Sequence, residues 1–148
     1  MSDLSLDPLH WLPHRPPFLL LDAMTSIEPG VAATGRWTLR GDEWFFPGHF
    51  PGMPVTPGVL LLESIAQCGA VAVLADPRYA GRLPLFGGVE RARFRRQVVP
   101  GDTVELECSM SRLSARGGRG SGRASATGSV STGRTTRARG TGSTRTSS

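Results

Sequence analysis

An α+β layer architecture, a sheet wrapped on one central helix, is the fold class this 148-residue sequence predicts. Three observations carry that prediction. A single long apolar segment runs from Val59 to Leu74 and holds one charged residue, Glu63. Strand-like segments lie before it and after it. Just ahead of it stands Phe45-Phe46-Pro47-Gly48-His49-Phe50-Pro51-Gly52, a loop of residues that disfavour both helix and ladder. The length suits one domain with one core.

The elements follow in order. Leu12-Pro13-His14-Arg15-Pro16-Pro17 is a rigid, extended lead-in, because each proline pushes its predecessor out of the helical region. Phe18-Leu19-Leu20-Leu21 reads as a short buried strand or an apolar anchor. Glu28-Pro29-Gly30 is a turn, and Val31 to Leu39 alternates well enough for a strand. The prolines and glycines from Pro47 to Pro57 exclude regular structure for about ten residues. Thr56-Pro57-Gly58 starts the helix, with the hydroxyl at the N-cap and proline at the first helical position. The helix is apolar almost all round, which marks it as buried, and Asp76-Pro77 ends it. Leu85 to Val89, Ala92 to Val99 and Thr103 to Met110 read as strands, the last two joined by a turn at Pro100-Gly101-Asp102.

The C-terminal part differs in kind. From Gly117 onward the chain is nearly all Gly, Ser, Thr, Arg and Ala, with Val130 the only large aliphatic residue. Such a segment cannot offset its ordering entropy by burial, so the sequence predicts a folded domain over residues 1–116 and a disordered or aberrant tail over 117–148. Gly120 to Thr127 retains the capacity for a poor edge strand. From about Gly128 the composition resembles GC-rich DNA read out of frame, or a divergent extension.

Charge excludes some functions. The net +5 suggests nucleic acid, but residues 1–110 carry nine Arg against twelve acids, while 111–148 carry eight Arg and no acid. The body is mildly acidic and has no basic patch interleaved with aromatics, so no nucleic-acid partner is expected. Cys68 and Cys108 have no metal-ligand spacing, and no cofactor or metal is expected. The acidic N-terminus lacks a signal-peptide run and nothing is long enough to span a bilayer, so a cytoplasmic location without membrane contact is expected.

Two side chains dominate the chemistry. Glu63 in an apolar wall loses hydration, which favours its protonated form and makes it a candidate proton donor. Ser64 is adjacent and Gln67 lies one turn on, so the three form a polar stripe. The alternative is a structural glutamate paired with Arg93 or Arg95. His49, on a stiffened loop, can accept a proton near neutral pH, although a lone loop histidine also serves as an ordinary surface residue. A base on a loop facing an acid in an apolar wall is what removal of water beside a carbonyl requires. The free amides of Gly58 and Val59 at the helix start can receive developing negative charge on a carbonyl oxygen. Glycine there equally eases the turn after Pro57. His14 reads as structural or surface. Arg91, Arg93, Arg95 and Arg96 read either as a solvated face or as a dock for an acidic carrier protein.

These residues resemble the FabZ-type (3R)-hydroxyacyl-[acyl-carrier-protein] dehydratases of bacterial type II fatty-acid synthesis. The matching stretches are Leu12 to Asp22, Phe45 to Gln67 (FFPGHFPGMPVTPGVLLLESIAQ) and Ala92 to Asp102, in the family's order over about residues 10–112. The resemblance implies a hotdog fold with its final strands in doubt. It makes His49 and Glu63 the catalytic pair and Gly58 the amide that polarises the thioester carbonyl, with Val59 and Gln67 beside the substrate. It also implies an acyl carrier protein as partner, docked by Arg93, Arg95 and Arg96. Sites would be shared across a homodimer, with trimers of dimers common. A glutamate at the acid position favours dehydration without isomerisation. Thr56 departs from the methionine more usual there. The competing readings are another hotdog thioester enzyme, either thioesterase or dehydratase-isomerase, and an inactive remnant with a nucleic-acid-binding tail.

Overall fold

A computed structural model of the chain describes residues 3–127 and 136–142. Its elements are α1 (Pro8–Trp11), β1 (Ala23–Glu28), β2 (Ala32–Thr38), α2 (Gly58–Leu74), β3 (Gly88–Arg93), β4 (Thr103–Ser114), β5 (Gly117–Thr127) and β6 (Thr136–Gly142). Single 3₁₀ turns lie at Phe46–Gly48 and Pro77–Tyr79. The strands form one sheet in the order β1-β2-β4-β5-β6-β3, with every pair antiparallel. The sheet wraps α2, which packs across β2, β4 and β5. This is the hotdog arrangement.

Alternation explains the first half of the sheet. Ala33, Gly35 and Trp37 of β2 stand opposite Cys108, Leu106 and Val104 of β4, and all six point into the core. Against them α2 sets Leu61, Ile65, Cys68, Val71 and Ala72, all buried. A close approach is at Gly69, where a Cβ would lie 2.6 Å from the Cys108 sulfur. Any larger residue there would push the helix off the sheet. The β1–β2 turn is fixed to the helix as well: Gly30, at φ 75°, donates its N–H to Ala72 O at 2.8 Å.

The structure corrects several expectations. Pro57, not Thr56, is the N-cap of α2, and Gly58 is its first residue. Thr56 is drawn out of the helix because its N–H bonds to Val98 O at 2.8 Å. Phe18 to Leu21 is an anchor, not a strand. One strand, β3, replaces the two expected over 85–89 and 92–99. Beyond Arg93 the chain leaves the ladder, and Arg96 points to Asp102 Oδ1 at 3.7 Å and Ala126 O at 2.9 Å. β4 runs on to Ser114. Two short elements went unforeseen. α1 is capped by the Asp7 carboxylate accepting from Leu9 N at 3.0 Å, and β1 buries only Met24.

The expectation of disorder from Gly117 onward is corrected for the described part of the tail. β5 pairs along its whole length with β4, and β6 lies between β5 and β3, so neither is an edge strand. Backbone ladders need no particular side chain. The helix facing β5 is apolar enough that Gly122 and Ala124 suffice on the strand's side. A Cβ at Gly122 would collide with the Ile65 side chain. The remainder of the expected tail, residues 128–135 and 143–148, lies outside the described residues. Among the described residues no helix is long and apolar enough to cross a membrane.

Candidate functional site

Glu63 projects from the second turn of α2 and is one-fifth exposed, at 19 %. Its Oε1 accepts a hydrogen bond from Gln67 Nε2 at 3.1 Å and lies 3.7 Å from His14 Nε2. The spacing of four residues puts Gln67 directly beside it on the helix. Gln67 is itself pinned. Its Oε1 accepts from Leu20 N at 2.8 Å, and its Nε2 also donates to Phe18 O at 2.9 Å. Ser64 completes the seam by donating to Leu20 O at 2.7 Å. The polar stripe on α2 therefore fastens the Phe18–Leu20 anchor to the helix and leaves Glu63 at its end. Glu63 is not paired with Arg93 or Arg95; its partners are an amide and an imidazole. Both hydrogens of the Gln67 amide are committed within the protein, so Gln67 holds Glu63 in place. Gln67 also lines a cavity beside Glu63.

Glu63, Gln67 and His14 border a cavity of about 300 Å³ between α2 and the sheet. Its walls are otherwise apolar or small: Ala66 and Ala70 from the helix, Leu85 and Phe86 from the segment before β3, and Met110 from β4. Gly118, Gly120 and Gly122 form alternate positions of β5 and line it together. The missing side chains of that strand are what leave the space open. A slot of this size and polarity suits a linear apolar ligand with one polar end.

His49 belongs to a different neighbourhood. Phe45 and Phe46 are buried and anchor the loop, and past them the chain folds back on itself. Phe50 and Met53 exchange both backbone hydrogen bonds at 2.9 Å, and Val55 N donates to His49 O at 2.9 Å. The His49 ring stacks on Phe50 with centroids 4.3 Å apart. Its Nδ1 lies 2.7 Å from Val55 O. A carbonyl can only accept, so Nδ1 carries the hydrogen and the lone pair is on Nε2, the nitrogen free to act as a base.

Gly58 and Val59 begin α2 near this loop. Their N–H groups have no acceptor among the described residues, as expected of the first helical turn. The Phe94 ring lies against Gly58, where a Cβ would meet it at 3.0 Å and the ring would have to shift. Val59 is 71 % exposed. His49, Gly58 and Val59 do not line the cavity beside Glu63. Glu63 and His49 therefore stand at two separate places on one chain, the first at the cavity and the second outside its lining.

Of the arginines, Arg93 and Arg95 are exposed, whereas Arg96 is part-buried and bonded to Ala126 O beside Asp102. His14, read from the sequence as structural or surface, stands part-buried beside Glu63. The signal was present, since prolines on both sides hold it stiffly just ahead of a buried anchor. The two cysteines are buried thiols. Burial pushes Cys68 well above the usual thiol range and Cys108 up to about 11, so neither is a nucleophile near neutrality.

Comparison with known proteins agrees with this architecture. The family model of the FabA-like domain matches residues 12–139. The 3-hydroxyacyl-[acyl-carrier-protein] dehydratase FabZ of Moorella thermoacetica is 57% identical over 113 residues, 76% of this chain and 79% of that one. The dehydratase FabZ of Herpetosiphon aurantiacus is 48% identical over 124 residues, covering 84% of this chain and 88% of the relative. Among solved structures, the dehydratase heterocomplex ApeI:P from Xenorhabdus doucetiae superposes with a TM-score of 0.76 over 98% of this chain and 93% of that chain. At 20% identity that likeness speaks for the fold alone.

Proposed function

The chain belongs to the FabA-like family, and from that premise we propose that it is a 3-hydroxyacyl-[acyl-carrier-protein] dehydratase. It converts (3R)-3-hydroxyacyl-acyl-carrier-protein to the trans-2-enoyl thioester in fatty-acid or related polyketide biosynthesis. The observation that carries the reading is a carboxyl group held by Gln67 at the border of an otherwise apolar cavity. In this reading His49 Nε2 takes a proton from C2 of the substrate. The thioester oxygen gains negative charge and is stabilised by the Gly58 N–H. Glu63 gives its proton to the C3 hydroxyl, which leaves as water while the C2–C3 double bond forms.

The two half-sites of one chain complete each other when two copies associate, His49 from one and Glu63 from the other. Exposed Phe50, Met53, Val59 and Phe94 beside the His49 half-site supply apolar surface for such a homodimer, and dimers of this type can assemble further as trimers. Arg93 and Arg95 offer positive charge to an acidic acyl carrier protein. The test is spectrophotometric hydration of a short 2-enoyl thioester by the purified protein, with the His49→Ala variant alongside. Loss of the conjugated absorbance with wild type and a rate lower by about 10²–10⁴-fold in the variant is expected. Equal rates would sink the assignment.

A further inference from the structure

We propose that His14 is a positioning residue for Glu63: together with Gln67 it engages Oε1 and so presents Oε2 as the oxygen that carries the transferred proton. This rests on the dehydratase reading above.

The lead-in around His14 is braced. Arg15 Nη1 donates to Leu12 O and to His14 O, each at 2.7 Å, and prolines flank the segment. The imidazole therefore reaches Glu63 from a fixed backbone. Its Nδ1 is buried and has no hydrogen-bond partner, while Nε2 faces Glu63 Oε1 at 3.7 Å. A hydrogen on Nδ1 would bury a donor with no acceptor and turn the Nε2 lone pair toward a carboxyl oxygen. An imidazolium would bury the same orphaned donor. The neutral form with hydrogen on Nε2 leaves a lone pair rather than a donor on the buried Nδ1 and aims a donor at Oε1. At 3.7 Å the contact is longer than a hydrogen bond, and it closes with a small rotation when substrate fills the cavity, as such contacts commonly do.

Gln67 Nε2 is already on the same oxygen at 3.1 Å. Two donors on Oε1 leave Oε2 without a donor among the described residues. A carboxyl torsion is broad and two-fold, so without such anchoring the two oxygens would exchange roles. With Oε1 held by donors, the acidic hydrogen sits on Oε2. Gln67 gives Oε1 one hydrogen and spends its other on Phe18 O, so a second donor on Oε1 has to come from elsewhere. His14 supplies the donor that has no other acceptor.

The test is steady-state dehydration with the full chain and its His14→Ala and His14→Gln variants, with folding checked by circular dichroism. The expected result is a kcat about tenfold lower for His14→Ala with KM nearly unchanged, and recovery of most of that loss in His14→Gln, which restores an N–H donor. An unchanged kcat in folded His14→Ala, or equal losses in both variants, overturns the proposal. Inactive wild-type protein would instead overturn the dehydratase reading. Ring-nitrogen NMR separates the two, because the chain has only three histidines and needs no substrate for it. A His14 signal of the Nε2-protonated tautomer that shifts in Glu63→Gln supports the assignment. An Nδ1-protonated ring in the wild-type protein overturns it even if no variant folds, and a ring indifferent to a folded Glu63→Gln overturns it as well.

Discussion

Glu63 is held by its own chain, with Gln67 locked to the backbone of Phe18 and Leu20 and an apolar cavity at its side. His49 stands on a loop whose geometry is set by its own backbone, from the Phe50–Met53 exchange to the bond with Val55 O, while Phe50 and Met53 face solvent. The acid half is finished by tertiary packing. The base half is finished locally, and its outer surface is apolar and uncovered. The contrast teaches that one side chain is fixed by long-range packing and the other by its own loop. Under the proposed reading, the uncovered surface is where a second copy would bring the two together.

The sharpest way to break that contrast is to mix two inactive proteins. His49→Ala and Glu63→Ala should each lose about 10²–10⁴-fold in rate. Unfolding and refolding them together should return up to about a quarter of wild-type activity, because random pairing makes half the dimers mixed, each with one intact site. No recovery would place both groups in one chain's site. Next in size is Gln67→Leu, which leaves Leu20 N–H and Phe18 C=O without their partner. Urea unfolding should show a loss of about 1–3 kcal/mol. Phe50→Ala in the other half-site should leave unfolding within about 0.5 kcal/mol and weaken self-association in sedimentation. Equal costs in the two halves would erase the distinction.

The smallest effect concerns the thiol beside the cavity. Folding holds Cys108 protonated up to about 11, whereas the unfolded thiol ionises near its ordinary 9.0. The folded state therefore binds more protons between those values, and stability is intact below pH 9.0 and falls as pH rises toward about 11. Near pH 9.5 the loss from this group stays under about 1 kcal/mol. Urea midpoints across that range should fall less steeply in Cys108→Ala than in wild type.

What the sequence made legible follows period and punctuation. α2 was readable because a long apolar run starts after proline and stops at Asp76-Pro77. β2 and β4 were readable because Trp37, Val104 and Leu106 alternate with polar neighbours. β1 was not, since Met24 is its only buried residue and one residue has no period. β5 was not, because Gly118, Gly120 and Gly122 contribute backbone pairing without apolar area, and composition counts only the area. At the site, His49 and Glu63 stood out by residue type and loop chemistry. The placement of His14 did not, because it depends on the Phe18–Leu20 anchor folding back on Gln67, nearly fifty residues away.

Among the described residues β3 pairs with β6 alone, in a register from Gly88↔Thr141 to Arg93↔Arg137. During synthesis β3 therefore leaves the ribosome well before the strand that will bond it. Until then the side of β3 that bonds β6 has no ladder partner, next to the Leu85–Phe86 wall of the cavity. A chain halted in that interval would carry an unpaired strand edge beside exposed apolar residues, the combination that recruits chaperones or seeds aggregation.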